Sequence, residues 1–440
     1  MPTITPQQIT PNLLLRPATP ADIPSLAQFN ARLHADPGQE TDPIVDSWTK
    51  LLLDGSHPTT NYNDAIIVED TTSNQIVSSL IHISQTWLYE DITFTCGRAE
   101  LIGTHPDYRR QGLVRAQMNA FHAYSAAKGE QAQIITGIPW YYRQFDYEMT
   151  LDWHGSFTFF WNRSGNNTTP PQEKYNSRPA TTDDIPLLHT LYQIHGQHQP
   201  INRQRTDDIW RYELTTSDKV SIEGRQFHLI TSQTDDQPIA YYEVAIWGQR
   251  TVVREFAVLP NHNWHDIALF LTRHLKPSPT ADQDIGQTPY LQWHLGSNHP
   301  VYNALGQTLE PFKQRPYPWY IRLPNIPQFL HHITPVLNQR LAHSLLAGYT
   351  GTLKLNFYHQ HHQLTFNNGQ LTTITPYQPT HFTDGDAFFP QQTFLQLLFC
   401  HRTLAELNHV IGDCYATSST TKTLLQILFP KQPSKPVSLG

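Results

Sequence analysis

The 440-residue sequence predicts an α+β protein: two related segments of strands and helices, followed by a third α+β domain. Three observations predict it. The nonapeptide RPATPADIP at 16–24 returns as RPATTDDIP at 178–186, with seven of nine positions identical, and a helix-like stretch follows each copy. A chain of this length exceeds what one hydrophobic core usually supports. After about residue 325 the texture changes to alternating apolar and polar residues, and then to short amphipathic helices.

Taken in order, the first copy spans 1–161 and ends in the aromatic strand HGSFTFFW (154–161). Residues 162–177 are polar, bear Pro and Gly and lack periodicity, so they read as a linker. The second copy, 178–325, carries a loop insertion at 277–289 and ends in YPWYIRL (317–323). In both copies an Asp precedes Ile-Pro (Asp22 and Asp184), which suits a helix start with proline in the first turn. The third domain, 326–434, opens with a hairpin around Asn-Asn-Gly in 351–377. Helices follow at 393–399, 403–410 and 421–429, and residues 435–440 form a tail.

Composition excludes several functions. Apolar residues make up 38% of the chain, and no apolar run approaches the ~20 residues of a membrane span. The N-terminus, MPTITPQQITPN, has neither the basic nor the apolar region of a secretory signal. Cys96, Cys400 and Cys414 are too few for a disulfide framework or a four-thiolate zinc site, and a cytoplasmic location is expected. The histidines at 331–332, 359 and 361–362 lack thiolate partners, so no metal is expected. A formal net charge of −7 disfavours duplex nucleic acid but tolerates a cationic small substrate.

The segment that carries chemistry is 96–130. Residues 98–104 read as a strand that Pro106 interrupts. From Leu113 a helical stripe runs through Ala116, Ala120, Phe121, Tyr124 and Ala127, and Lys128-Gly129 closes it. Arg109, Arg110 and Arg115 crowd the helix start, where the macrodipole already disfavours cations by ~0.3–1 kcal/mol each. Gly112 in the turn lets backbone N–H groups approach another molecule. A bound polyphosphate would satisfy the arginines, the dipole and the free amides together. A solvated basic turn is the competing reading.

RRQGLV (109–114) resembles the pyrophosphate loop of the GNAT acetyltransferase superfamily, with Val114 where Gly or Ala is usual. The resemblance implies a mixed central sheet flanked by helices. It also implies acetyl-CoA as co-substrate, held through Arg109, Arg110, Gln111, Gly112, Leu113, Val114 and Arg115, with the pantetheine arm paired to Ile102, Gly103 and Thr104. Downstream, FDY (145–147) matches the aromatic-Gly-aromatic turn of the superfamily, with Asp146 in place of Gly, a residue that tolerates the left-handed region. Tyr142 is then the general acid, because a phenol of pKa near ~10 can protonate the departing thiolate. Packing alone would also account for Tyr141 and Tyr142. For the base, Glu100 and His105 are both candidates.

Tandem GNAT folds followed by a sterol-carrier-protein-like domain resemble the enhanced intracellular survival (Eis) family, on motifs that span most of the chain. The resemblance implies acetylation of a primary amine (an aminoglycoside, a polyamine or a lysine) and a homo-oligomer, often a hexamer. It assigns the base role to the C-terminal carboxylate, here Gly440, although SKPVSLG does not resemble the family's ending. Asp36 and Trp48, in an acidic stretch after the first helix, are candidate acceptor-binding residues, unless that stretch is simply a solvated loop. Aligning Pro260 with Pro106 replaces Arg109 by Asn263, Arg110 by Trp264 and Gly112 by Asp266, so the second copy is expected to keep the fold and lose the coenzyme. The alternative function is a non-catalytic protein that binds acyl-CoA, lipid or a partner.

Overall fold

Arg16 and Arg178 explain why the nonapeptide recurs. Each guanidinium grips the Asp six residues on, Arg16 with Asp22 at 2.8 Å and Arg178 with Asp184 at 2.8 Å. Each Asp then reaches back to the amide of Thr19 or Thr181, which forms the turn that starts a helix. The repeat is therefore a strand-to-helix corner used twice.

The computed structural model describes residues 2–138, 140–152, 155–161, 173–216, 225–247, 250–277, 289–312, 318–390, 392–432 and 434–436. It forms two compact units, the first comprising Met1–Asp152, Gln199–Gln204 and Pro318–Pro436, the second Trp153–His198 and Arg205–Tyr317.

In the first unit, strands β1 (Gln7–Thr10), β2 (Leu13–Pro17), β3 (Ala65–Asp70), β4 (Gln75–Tyr89), β5 (Ile92–Thr104), β6 (Ala132–Ile135) and β7 (Glu148–Asp152) belong to one sheet. The strand Pro318–Arg322 lies between β6 and β7, and Ile201–Arg203 pairs with β4. Neighbours are antiparallel except β5 and β6, which are parallel and are joined by a helical crossover. That crossover is α3 (Leu113–Ala127), whose Leu113, Met118 and Phe121 pack with Ile66, Val68 and Leu80. Helices α1 (Ile23–Leu33) and α2 (Pro43–Leu53) pack on each other, and α1 lies against β4 and β5. The same unit contains a five-stranded sheet that includes Gly351–Asn356, His361–Asn367 and Gln370–Pro376. Its hairpin turns at Asn368 and Gly369, both with positive φ, and helices Phe394–Leu398, Leu404–Val410 and Ser419–Leu428 follow.

The second unit has a seven-stranded sheet with the same order of helices, antiparallel strands and parallel crossover. At its centre the buried Arg205 and Arg225 share Glu213 and Glu255, with Arg205 at 2.6 Å from Glu255.

Two aromatic strands do not close the halves in which the sequence places them. Phe157–Phe160 belongs to the seven-stranded sheet, and Pro318–Arg322 to the sheet of the first unit. A strand of alternating aromatics carries a face preference but no address, so pairing partners are not readable from it. Part of the expected linker, 173–177, runs into the strand Tyr175–Pro179, and residues 162–172 lie outside the described residues. The same is true of 278–288, in the loop insertion, and of Gly440. Among the described residues no helix is long and apolar enough to cross a membrane.

Candidate active site

The site is built on the open edge of β5. This strand pairs with β4 along its whole length but with β6 only at Cys96, Gly97 and Arg98, so the two parallel strands part beyond Arg98. A bulge follows: Gly103 faces Ser79, whereas Glu100 faces Ile81, and Leu101 has φ of 49°. The carbonyls of Leu101 and Gly103 turn toward β4, where they accept hydrogen bonds from Ser79 Oγ at 3.0 Å and Ser78 Oγ at 2.8 Å. Alternation then turns the main chain of Ile102 to the opposite edge, which β6 does not cover.

The loop and helix that follow are held to this edge by a buried glutamine. Gln117, one turn into α3, donates to Ile66 O at 2.9 Å, and its Oε1 lies 2.7 Å from Ser78 Oγ. Gly112 caps α3 in the left-handed region (φ 79°), and nothing lies within 4 Å of the place its side chain would occupy. The first helical bond runs from Ala116 N to Gly112 O, so helix geometry leaves the N–H groups of Leu113, Val114 and Arg115 without intrahelical acceptors. Around them stand exposed Arg109, which donates to Thr104 O at 3.4 Å, exposed Arg110, and Arg115, which pairs with Gln144 at 2.7 Å and lies over the Phe145 ring.

The third wall is the short 3-10 segment Tyr141–Phe145, which ends at Asp146 in the left-handed region (φ 67°). Tyr142 is 5% exposed, with Tyr141, Tyr147 and Tyr320 packed around it. A Cβ on Gly137 would lie 3.2 Å from the Tyr142 hydroxyl, so the glycine gives that hydroxyl its room. Tyr147, fully buried, meets His122 at 3.0 Å, and burial together with Arg322 pushes the His122 imidazole down to about 3, so it carries no charge at neutral pH.

These three walls enclose one cavity of about 680 Å³. Of the residues singled out from sequence, Ile102, Gly103, Thr104, Arg109, Arg110, Gly112, Leu113, Val114, Arg115 and Tyr142 line it together. Gln111, Glu100, Asp36 and Trp48 do not line it. Leu33, His34, Tyr108, Ile138 and Gln144 line it and were not foreseen, and Phe145 of the FDY turn joins them.

Residues 15–150 match the model of the acetyltransferase (GNAT) domain family. This region is a GNAT acetyltransferase domain. The chain is accordingly an enzyme of the acyl-transfer class. Solved structures share the fold over nearly the whole chain. A GCN5-related N-acetyltransferase from Anabaena variabilis is 15% identical, with 96% of this chain and 98% of that one covered and a TM-score of 0.66. One from Kribbella flavida is 15% identical, with 97% and 100% covered and a TM-score of 0.65. Eis1 from Mycobacterium abscessus is 12% identical, with 96% and 98% covered and a TM-score of 0.61. At such identities the likeness is one of fold. No curated protein matches the chain.

Within the GNAT domain the two side chains first considered as bases are otherwise engaged. The Glu100 carboxylate pairs with the buried Arg98 guanidinium and receives Leu101 N at 3.4 Å. His105 accepts from Asp107 N through Nδ1 at 3.3 Å. Trp48 is buried on α2, 6.0 Å from Arg98, and Asp36 is exposed in the turn after α1. Nearby carboxylates are committed locally, Asp42 to the cap of α2 and Asp46 to Lys50.

The second unit has the corresponding features in a closed form. Asn263 Oδ1 accepts from the amides of His265 and Asp266 at 3.0 and 3.2 Å, so the start of that helix satisfies itself. By the alignment of Pro260 with Pro106, Phe256 stands where Ile102 stands in the GNAT domain. Its carbonyl receives both His299 Nε2 at 2.9 Å and His195 Nδ1 at 3.3 Å.

Proposed function

We propose that the chain transfers an acetyl group from acetyl-CoA directly to a primary amine of an aminoglycoside, a polyamine or a lysine side chain. The observation that supports this reading is the single cavity in which the open β5 edge, the Gly112 helix start with its three arginines, and Tyr142 converge. The donors fit the coenzyme. A diphosphate suits helix amides without intrahelical acceptors and the exposed guanidiniums beside them, the arm of an amide-bearing chain suits an open strand edge, and no side chain fills the space at Gly112.

When bound, acetyl-CoA supplies the activated thioester. Leu113, Val114 and Arg115 hold the diphosphate through main-chain N–H groups, and Ile102 to Thr104 align the arm as an added strand. Tyr142, set among aromatic rings that exclude water, gives its proton to the departing sulfur. Exposed Asp36 and Glu40, after α1, provide negative charge that attracts a cationic acceptor. The second unit, with its helix start and strand carbonyl already satisfied, serves the fold rather than the chemistry. By resemblance to Eis proteins the assembly is a homo-oligomer, which light scattering tests.

The decisive experiment is thiol release from acetyl-CoA against spermidine, kanamycin and a lysine peptide amide. Turnover with one or more, and mass-spectrometric detection of the N-acetyl product, is expected. Coenzyme binding without transfer to any of them would favour a non-catalytic acyl-CoA-binding protein.

A further inference from the structure

We propose that His34 is the base that takes the proton from the attacking amine; this rests on the acetyl transfer argued above. His34 caps the C-terminus of α1, its amide donating to Asn30 O at 3.0 Å, and its side chain lines the same cavity as Tyr142 and the Ile102–Thr104 edge. Its Nε2 lies 3.6 Å from the point where a Cβ on Gly103 would stand, so the ring rests against the open strand at the residue that lacks a side chain. Among the described residues that line the cavity, the others able to exchange a proton are tyrosines and arginines, whose ordinary pKa values of ~10 and above ~12 leave them protonated near neutrality. An imidazole is the group suited to accept a proton there.

Two opposed influences poise it. His34 keeps an exposed face, but desolvation where its ring meets neighbouring atoms lowers the imidazole below its ordinary value and favours the neutral form that accepts a proton. Glu100 on β5 and Asp42 at the start of α2 face it and favour the imidazolium, so the cation is stabilised once the proton arrives. The C-terminal end of α1 acts in the same sense, while the Arg109 guanidinium, which lines the same cavity, carries the opposite sign of charge. The step balances. The amine lone pair forms the new C–N bond and the C–S bond breaks; His34 takes the proton that the nitrogen must lose, and Tyr142 supplies one to the sulfur. Solvent resets both side chains.

Two measurements test this. The first needs no coenzyme: the His34 imidazole is titrated by NMR, its signals assigned by their loss in His34→Gln. The midpoint should lie below ~6.5 and fall further in Asp42→Asn, which removes the charge but keeps a competent helix cap. A midpoint unmoved by that substitution would overturn the poised geometry. The second is steady-state kinetics with the amine that turns over best among spermidine, kanamycin and the lysine peptide amide. His34→Gln should lower kcat/KM by ~100-fold or more, abolish the acidic limb of its pH profile and leave acetyl-CoA affinity by calorimetry within about two-fold. Added imidazole should partly restore His34→Ala. Activity within about two-fold, with the acidic limb intact, would remove His34 from the chemistry while acetyl transfer stands. A failure of the unaltered protein to acetylate any of the three amines would overturn the transfer reading itself, and His34's role with it.

Discussion

Leu33 occupies the space that a side chain on Gly103 would need: an ideal Cβ there would lie 1.9 Å from Leu33 Cδ2. The contact lets the end of α1 close directly against β5 and brings His34 beside the strand edge. Gly103→Ala should therefore push Leu33 and His34 away from the edge, because Leu33 has to move. Overpacking of this kind typically costs about 1–3 kcal/mol. Urea unfolding should show that loss, and calorimetry a weaker acetyl-CoA affinity. A variant of unchanged stability would mean that α1 yields freely, and the close approach would not matter.

Gly112 is constrained differently. Its φ of 79° is strained for any other residue, yet the space around it is open. Gly112→Ala should cost about 1 kcal/mol of stability and only moderately weaken coenzyme binding. Gly112→Asp places a carboxylate where the diphosphate is proposed to rest, as Asp266 does by alignment in the second copy. It should lower acetyl-CoA affinity at least ~100-fold, a Coulombic penalty that the Ala variant lacks. If Ala and Asp weaken binding equally by calorimetry, backbone strain and not charge controls the site.

Tyr142→Phe removes one oxygen from an aromatic cluster that otherwise stays packed. As the acid, the hydroxyl should contribute ~10²–10⁴-fold to kcat, with acetyl-CoA affinity unchanged. Tyr141→Phe, in the same wall, should change kcat by less than about two-fold. Equal effects from both would reduce Tyr142 to packing.

Much of this site was legible in sequence because it is local. Arg109 to Arg115 form one loop and helix start, and the cost of placing cations there is visible without a structure. The helix itself begins at Leu113 and ends before Gly129 as its stripe predicts. The inner face was only partly legible. Gln117 and Ser125 are buried because they hydrogen-bond to Ser78 and Gln133 on strands of the sheet beneath the helix, a pairing the helical period does not show, and Ala127, counted in the stripe, is exposed. Leu33 and His34 join the cavity only through the fold of α1 over β5, and no motif marks them. The bulge at Leu101 that opens the strand edge was equally hidden, because a leucine at positive φ carries no sequence signal.

His82 and Glu130, in contact at 2.8 Å beneath α3, make stability depend on pH in both directions. A Cβ on Gly97 would come within 2.4 Å of Glu130 Oε2, so the glycine leaves room for the pair. Burial by itself would discharge the His82 ring, but the hydrogen bond to Glu130 and the Asp64 carboxylate 3.6 Å from Nδ1 outweigh it and raise the imidazole above its ordinary value. The carboxyls of Asp64 and Glu130 are pulled the other way: burial raises them, and His82, with Lys128 beside Asp64, lowers them further. A raised imidazole contributes stability that is complete below the unfolded value of ~6.5 and is lost as pH rises through the folded pKa. The lowered carboxyls contribute stability present above ~4 and lost as pH falls through their folded values. Urea unfolding should therefore show stability declining as pH rises above about 6.5. In His82→Gln that decline should flatten, and His82→Leu, which breaks the buried pair with Glu130, should cost about 3–5 kcal/mol near neutrality. A decline of the same slope in His82→Gln would assign the alkaline loss to another group and leave the His82 ring neutral in the fold.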